Sequence, residues 1–197
     1  MIAAVILTAG ASSRMGIPKA NLKIGDTTFL NSILYKIQRT GFNPVFIITG
    51  YHHQDICQAV DPVGEYKILQ NPHPELGQLS SLQLVIRNLT LSVTGLLVVL
   101  VDHPLVKEKT YRELYSTALV CPEAIILPKY QDQTGHPVYF SRKFFPALLE
   151  TSLQTGAREM VRKNQEEIIY LEVADRGIIQ DIDTPGDLIT YAGDLSA

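Results

Sequence analysis

The sequence predicts an α/β fold of three layers, with helices on both faces of a mostly parallel sheet, and two observations carry that prediction. Short apolar runs alternate with stretches whose apolar residues recur every three and four positions, the pattern of βα units around a buried sheet. The 197 residues, 46% of them apolar and 19% charged, suffice for one substantial core and leave little room for a second. Residues 1–197 are therefore expected to form one domain.

The elements follow in order. Ile2–Leu7 is a wholly apolar run and reads as a buried strand. Over residues 29–39, Leu30, Ile33, Leu34 and Ile37 share one helical face, Lys36 and Arg39 are left for solvent, and Gly41 closes the helix as a cap. Further strands are expected at Val45–Thr49 and at residues 67–69, 96–101 and 124–127. Helices over residues 80–88 and 108–119 place Leu82, Val85 and Leu89, and Tyr111, Leu114 and Ala118, toward the sheet. Beyond residue 127, Gly135-His136-Pro137 leads into a short strand at 138–140, and a helix follows over 142–150. Strands at 168–173 and 178–182 are expected to meet in a hairpin turn at Asp175-Arg176-Gly177. Pro185 suits the first turn of a last short helix. No internal repeat or low-complexity linker interrupts this series.

Composition excludes several function classes. A net charge of -3 and a pI near 5.9, with no run of Lys or Arg, give no electrostatic footprint for nucleic acid. No apolar stretch approaches the roughly 20 residues that span a bilayer, and the run at 96–101 stops at Asp102, so no membrane partner is expected. Met1 leads straight into a strand without the basic flank of a signal peptide. Cys57 and Cys121 have neither zinc-ligand nor CxxC spacing and read as reduced, buried, small residues. A soluble, cytoplasmic chain is the expectation.

The first strand ends at Thr8 and enters Ala9-Gly10-Ala11-Ser12-Ser13-Arg14-Met15-Gly16-Ile17-Pro18-Lys19. In open α/β sheets ligands bind beyond the carboxyl ends of the strands, and small residues there let backbone N–H groups approach a phosphate. This loop, with two cations, therefore suits a triphosphate. Gly10 and Gly16 are separated by five residues and Lys19 is not adjacent to Gly16, so neither the dinucleotide-binding GxGxxG nor the GxxxxGK[ST] phosphate loop is present.

Residues 7–19 closely resemble the pattern L-x-A-G-x-S-x-R-M-G-x-x-K of the MobA/MocA-like NTP transferases that act in molybdenum cofactor maturation. The likeness continues in Asn71-Pro72 with Gly77, Ser80, Ser81 and Leu82, in Asp102-His103-Pro104-Leu105-Val106, in Gly135-His136-Pro137-Val138 and in Asp181-Ile182-Asp183-Thr184-Pro185. Gly156-Ala157-Arg158 resembles a segment of the cytidylyltransferase branch. The resemblance implies a Rossmann-like domain of the nucleotide-diphospho-sugar transferase kind. It implies transfer of a nucleoside monophosphate from an NTP to a phosphate-bearing acceptor such as molybdopterin, with release of pyrophosphate. A molybdoenzyme or its chaperone is a candidate recipient of the product. Guanylyl members tend to carry two glycines where this chain has Ala9-Gly10, so CTP is the favoured donor.

Each position has a chemical reason. Charge builds on the α-phosphoryl oxygens and the departing pyrophosphate, so Arg14 as a planar fork and Lys19 as a point charge are expected there as catalytic cations. Thr8, Ala9, Gly10, Ala11 and Ser12 are expected to line the nucleotide with them, joined by Asn71, Gly77, Ser80 and Ser81. The two serines alternatively cap a helix N-terminus. Asp102 follows an apolar run and should project from a strand's carboxyl end, where the family holds its Mg²⁺. The second ligand comes from the Asp181-Ile182-Asp183 element, and Asp183 is preferred to Asp181 because it lies nearer the strand end. Asp183 alternatively caps the last helix. Gly135 and His136 are expected to line the acceptor, with His103 as variable lining. A sugar-phosphate nucleotidyltransferase and a non-catalytic nucleotide-binding module are the competing readings. Retention of Arg14, Lys19, Asp102 and Asp183 together argues against the second.

Overall fold

The computed structural model describes residues 1–191 and residue 193. Its first strand, Ile2–Leu7 (β1), is buried at every position and runs near the middle of the main sheet. A small hairpin, Lys23–Ile24 (β2) with Thr27–Thr28 (β3), leads into Phe29–Gln38 (α1), where the Thr28 hydroxyl accepts from the Asn31 N–H. Val45–Thr49 (β4), His53–Ala59 (α2), Lys67–Gln70 (β5) and Gln78–Arg87 (α3) continue the βα alternation. Gly95–Leu100 (β6) is again buried throughout and is followed by Glu108–Val120 (α4). Ile125–Tyr130 (β7), Gln133–Thr134 (β8) and Val138–Ser141 (β9) follow, with β8 and β9 antiparallel to β7. Phe145–Glu150 (α5), Ala157–Lys163 (α6), Ile168–Glu172 (β10) and Pro185–Thr190 (α7) complete the order.

The strand order is β10-β7-β9-β6-β1-β4-β5, with β8 beside β7. Parallel pairs join β1 to β4 and β6, β4 to β5, and β7 to β10, while β9 is antiparallel to both β6 and β7. Because side chains alternate along a strand, the sheet feeds two cores. Ala4, Ile6, Ile47 and Val99 pack under α1 and α4, whereas Val5, Ile48, Val98 and Leu100 pack under α3 and α5. The three layers follow. In register, Leu7 opposes both Ile48 and Leu100, so the chain leaves β1, β4 and β6 at one common edge.

Several expectations need correction. Residues 178–182 are not a strand and Asp175-Arg176-Gly177 is not a hairpin turn. The Asp175 carboxylate accepts from the Gly177 N–H and winds Arg176–Ile179 into a 3-10 turn. Residues 142–150 divide into a 3-10 turn, Arg142–Phe144, and α5. Lys36 is not a solvent cation: it is half-buried, and its Nζ donates to the carbonyls of Pro104 and Val106. α1 is capped at Arg39, and Gly41 takes a left-handed φ of 94° two residues later. Cys57 is exposed and Cys121 half-buried, so neither is a core residue. α2 escaped notice because only Ile56 is buried in it, which leaves no apolar stripe. Among the described residues, no helix is long and apolar enough to cross a membrane.

Gly135 has a steric reason for its identity. Its backbone lies directly on that of Ile178, where a Cβ would overlap the Ile178 carbonyl. The His136 N–H donates to that same carbonyl at 2.9 Å. Gly135→Ala is expected to destabilise the fold by about 1–3 kcal/mol through backbone displacement. Urea denaturation with an unchanged m-value measures this.

Candidate active site

The common edge opens into a cavity of about 1120 Å³ lined by the loops after β1, β5 and β6, by β8 and the Gly135-His136 segment, and by α6. The first of these loops is built by short local bonds. Thr8 is buried, and both its N–H and its hydroxyl reach the Ile48 carbonyl, at 2.9 and 2.8 Å. Ser12, at φ 50°, accepts from the Met15 and Gly16 N–H groups on its carbonyl and from the Lys19 N–H on its hydroxyl. The Ser12 side chain thus closes the loop and sets where Lys19 begins. Ala9 is buried against Gly50, and His52 Nε2 lies 2.9 Å from the Ala11 carbonyl.

Lys19 is the centre of the site. Its ammonium donates to Asp102 Oδ2 at 3.2 Å and to Asp183 Oδ1 in a short ion pair, and Arg14 Nη2 lies 2.6 Å from Asp183 Oδ2. The side chains of Lys19 and Asp102 are 14% and 20% exposed, whereas that of Arg14 is 66% exposed. Solvent screens the Arg14 pair to about 0–1 kcal/mol, which leaves Arg14 free to swing toward a ligand while Lys19 stays fixed. Hydrogen bonds from Lys19 first, and its charge with that of Arg14, hold the Asp183 carboxyl below the usual carboxylate range against a smaller opposing effect of burial. Asp183 does not cap the last helix. Thr184 does so, its hydroxyl accepting from the Asp187 N–H while the Asp187 carboxylate takes the Asp183 and Thr184 N–H groups. The Asp183 carboxylate is left for the cations. Asp181 is exposed at the cavity wall.

Asp102 Oδ1 is buried and has no hydrogen-bond partner among the described residues. A buried carboxylate oxygen without a donor is costly, and a cation would satisfy it. His103 Nε2 lies 3.9 Å from this oxygen, and the His103 and His136 rings are 5.3 Å apart. The Nδ1 atoms of both imidazoles are buried without partners. Burial foremost, then the charges of His103 and Arg158, push His136 down to about 4, with Asp102 opposing.

The other expected residues divide. Gly77 and Ser81 line the cavity. Asn71 and Ser80 are not among its lining residues; Asn71 Nδ2 donates to the Ser80 and Ser81 hydroxyls, and the Ser80 hydroxyl donates to the Gly77 carbonyl, so they brace the wall. Neither serine caps α3, which begins after Gly77 without a side-chain cap. The cavity lining also includes the apolar Leu127, Val138, Phe140, Leu153 and Val161 and the polar Gln133, Thr134, His136 and Arg158. Arg158 was legible only as part of Gly156-Ala157-Arg158; that it lines the cavity with His136 was not.

Residues 4–168 match the model of the MobA-like NTP transferase domain. The chain is 25% identical over 191 residues to the molybdenum cofactor cytidylyltransferase of Escherichia coli (strain K12), covering 94% of this chain and 93% of that one. The crystal structure of Rv0371c from Mycobacterium tuberculosis H37Rv superposes with a TM-score of 0.83 at 28% identity, covering 100% and 97%. The complex of Rv0371C with manganese superposes at 0.80 and 26% identity, covering 100% and 98%.

The low folded-state value of His136 has a thermodynamic consequence. Unfolded, the imidazole takes its proton near 6.5; folded, only near 4. Between these values the unfolded state binds more protons, so stability is lost as pH falls from about 6.5 toward 4, by up to about 3 kcal/mol. Denaturant titrations across this window should show the slope, and His136→Gln should flatten it.

Proposed function

This chain belongs to the MobA-like NTP transferase family, and on that premise we propose that it transfers CMP from CTP to the phosphate of molybdopterin and releases pyrophosphate. The observation that carries the reading is the alternation Arg14, Asp183, Lys19, Asp102 at the cavity mouth beside the β1 loop. Two cations interleaved with two carboxylates provide charge for phosphates and oxygen ligands for a divalent ion within one cluster.

Asp102 and Asp183 would hold Mg²⁺. The partnerless Asp102 Oδ1 fits this role, and so does the convergence of both carboxylates on one ammonium. When bound, the ion supplies charge neutralisation between the reacting phosphates. In the transfer, an oxygen of the acceptor phosphate attacks the α-phosphorus and the bond to pyrophosphate breaks. An ionised phosphate needs no general base, so no proton has to move. Lys19 would stabilise charge on the α-phosphoryl oxygens and Arg14 would clamp the leaving group. Thr8 to Ser12 would cradle the nucleotide with Gly77 and Ser81.

The apolar part of the lining, Leu127, Val138, Phe140, Leu153 and Val161, supports a flat heterocycle as acceptor, and Arg158 would meet its phosphate. The E. coli relative is itself a molybdenum cofactor cytidylyltransferase.

With molybdopterin and Mg²⁺, Asp102→Asn is expected to lower kcat by on the order of a hundredfold or more at unchanged thermal stability, measured by pyrophosphate release. Lys19→Ala is expected to cost about 3 kcal/mol in the transition state, as loss of an oxyanion donor does. A rise in the CTP KM alone would make Lys19 a ground-state binder. Sugar phosphates serve as controls, and turnover with them instead of molybdopterin would reject the acceptor.

Donor choice follows from residue 9. Ala9 lines the cavity with its methyl lying against Gly50, so residue 9 has no room to retreat from a larger base. One methyl discriminates by about 1–3 kcal/mol, and CTP is therefore expected to win over GTP by tens-fold in direct competition. A kcat/KM ratio favouring GTP would overturn the cytidylyl assignment and leave the family intact.

A further inference from the structure

A half-buried lysine and a buried carboxylate both hold the segment after Asp102. Lys36, on α1, donates to the carbonyls of Pro104 at 2.7 Å and Val106 at 2.9 Å. Asp175, 3% exposed, accepts from the Lys107 N–H at 2.8 Å, the Thr110 hydroxyl at 2.5 Å and the Gly177 N–H at 3.0 Å. The cation thus meets the carbonyl ends and the anion the N–H end of the same short stretch. Neither residue lines the cavity.

The gripped stretch is bonded to everything around the reactive carboxylates. The Asp102 carbonyl accepts from the Ile182 N–H at 2.8 Å, one residue before Asp183. Gly177 lies so close to Leu105 that a Cβ would overlap the Leu105 carbonyl. The next carbonyl, that of Ile178, takes the His136 N–H. Residues 102–107, 135–136 and 176–183 are therefore one stacked unit, held at its base by Lys36 and Asp175.

We propose that Lys36 and Asp175 are positioning residues that fix the spacing of Asp102 from Asp183 across this unit. The proposal rests on the reading of those two carboxylates as the nucleotidyl-transfer site. Stability alone does not account for the arrangement. Burying an ammonium against carbonyls carries a desolvation cost that an unbranched apolar side chain of similar length avoids. What the ammonium adds is a fixed direction for two peptide groups, and small displacements of reacting groups are expensive in rate.

The test compares Lys36→Met with Lys36→Arg, which keeps a cation and its donors, in the full-length protein. Amide hydrogen exchange of the ligand-free protein should quicken about tenfold or more in peptides covering 102–107 and 176–183 of Lys36→Met, with β1 and α1 unchanged. Pyrophosphate release from CTP and molybdopterin should show kcat lowered about tenfold with the CTP KM within about twofold. Lys36→Arg should restore both toward wild type. Exchange that is unchanged, or quickened uniformly over the chain, overturns the proposal. So does local loosening with full kcat, or an Arg variant that behaves like Met. Should Lys36→Met fail to fold, Lys36→Gln, which keeps part of the donor set, takes its place. A wild-type protein that released no pyrophosphate would sink the nucleotidyl-transfer reading, and the exchange pattern would still decide whether Lys36 holds the segment.

Discussion

The Lys19 ammonium is the tie on which the site depends. It joins the loop after β1 to Asp102, 83 residues on, and to Asp183, 164 residues on. Two carboxylates brought together without it would repel each other, and in a half-buried cleft that repulsion is less screened than at the surface. The position of the ammonium is in turn set by main chain: Ser12 accepts the Lys19 N–H, and the Thr8 bonds to Ile48 hold the start of the loop to the sheet. A loop of small residues becomes a defined scaffold because its few polar side chains are used on its own backbone.

The same tie explains why the cluster can change partners. Lys19 holds one oxygen of Asp102, while the other has no donor, and Arg14 is mostly in solvent although paired with Asp183. Under the proposed function a triphosphate would offer Arg14 a stronger acceptor than a shared carboxylate, since charge-assisted bonds to phosphate are among the strongest available. Under the proposed transfer, Asp102 and Asp183 would be the groups left to hold a divalent ion, within the same cluster that holds the cations.

How much of this could be read from the sequence depends on the range of the interaction. The buried strands β1 and β4 were legible because apolar runs report burial directly, and the cavity-lining loop was legible because glycine, small residues and cations sat at the end of β1. Asp102 was placed by the same logic, from the apolar run before it. The preference for Asp183 over Asp181 came from strand geometry, yet residues 178–182 form no strand. The carboxylate that meets Lys19 is Asp183, because the Asp102 carbonyl anchors Ile182 and α7 opens on a capping box just beyond.

Lys36 and Asp175 mark where local reading ends. By periodicity Lys36 sits on the polar side of α1, and nothing within a helical turn indicates that its four-carbon stem will reach the carbonyls of Pro104 and Val106. Asp175 beside Gly177 has the composition of a hairpin turn, but one carboxylate oxygen takes the Gly177 N–H and opens a 3-10 turn, while the other is held by Lys107 and Thr110 of another element. Both residues act mainly on backbone groups, which carry no side-chain signature. A motif can therefore name the groups that face the phosphates, while the distances between those groups are set by residues that the motif does not contain. Any account of why this site adopts its spacing must include the second set.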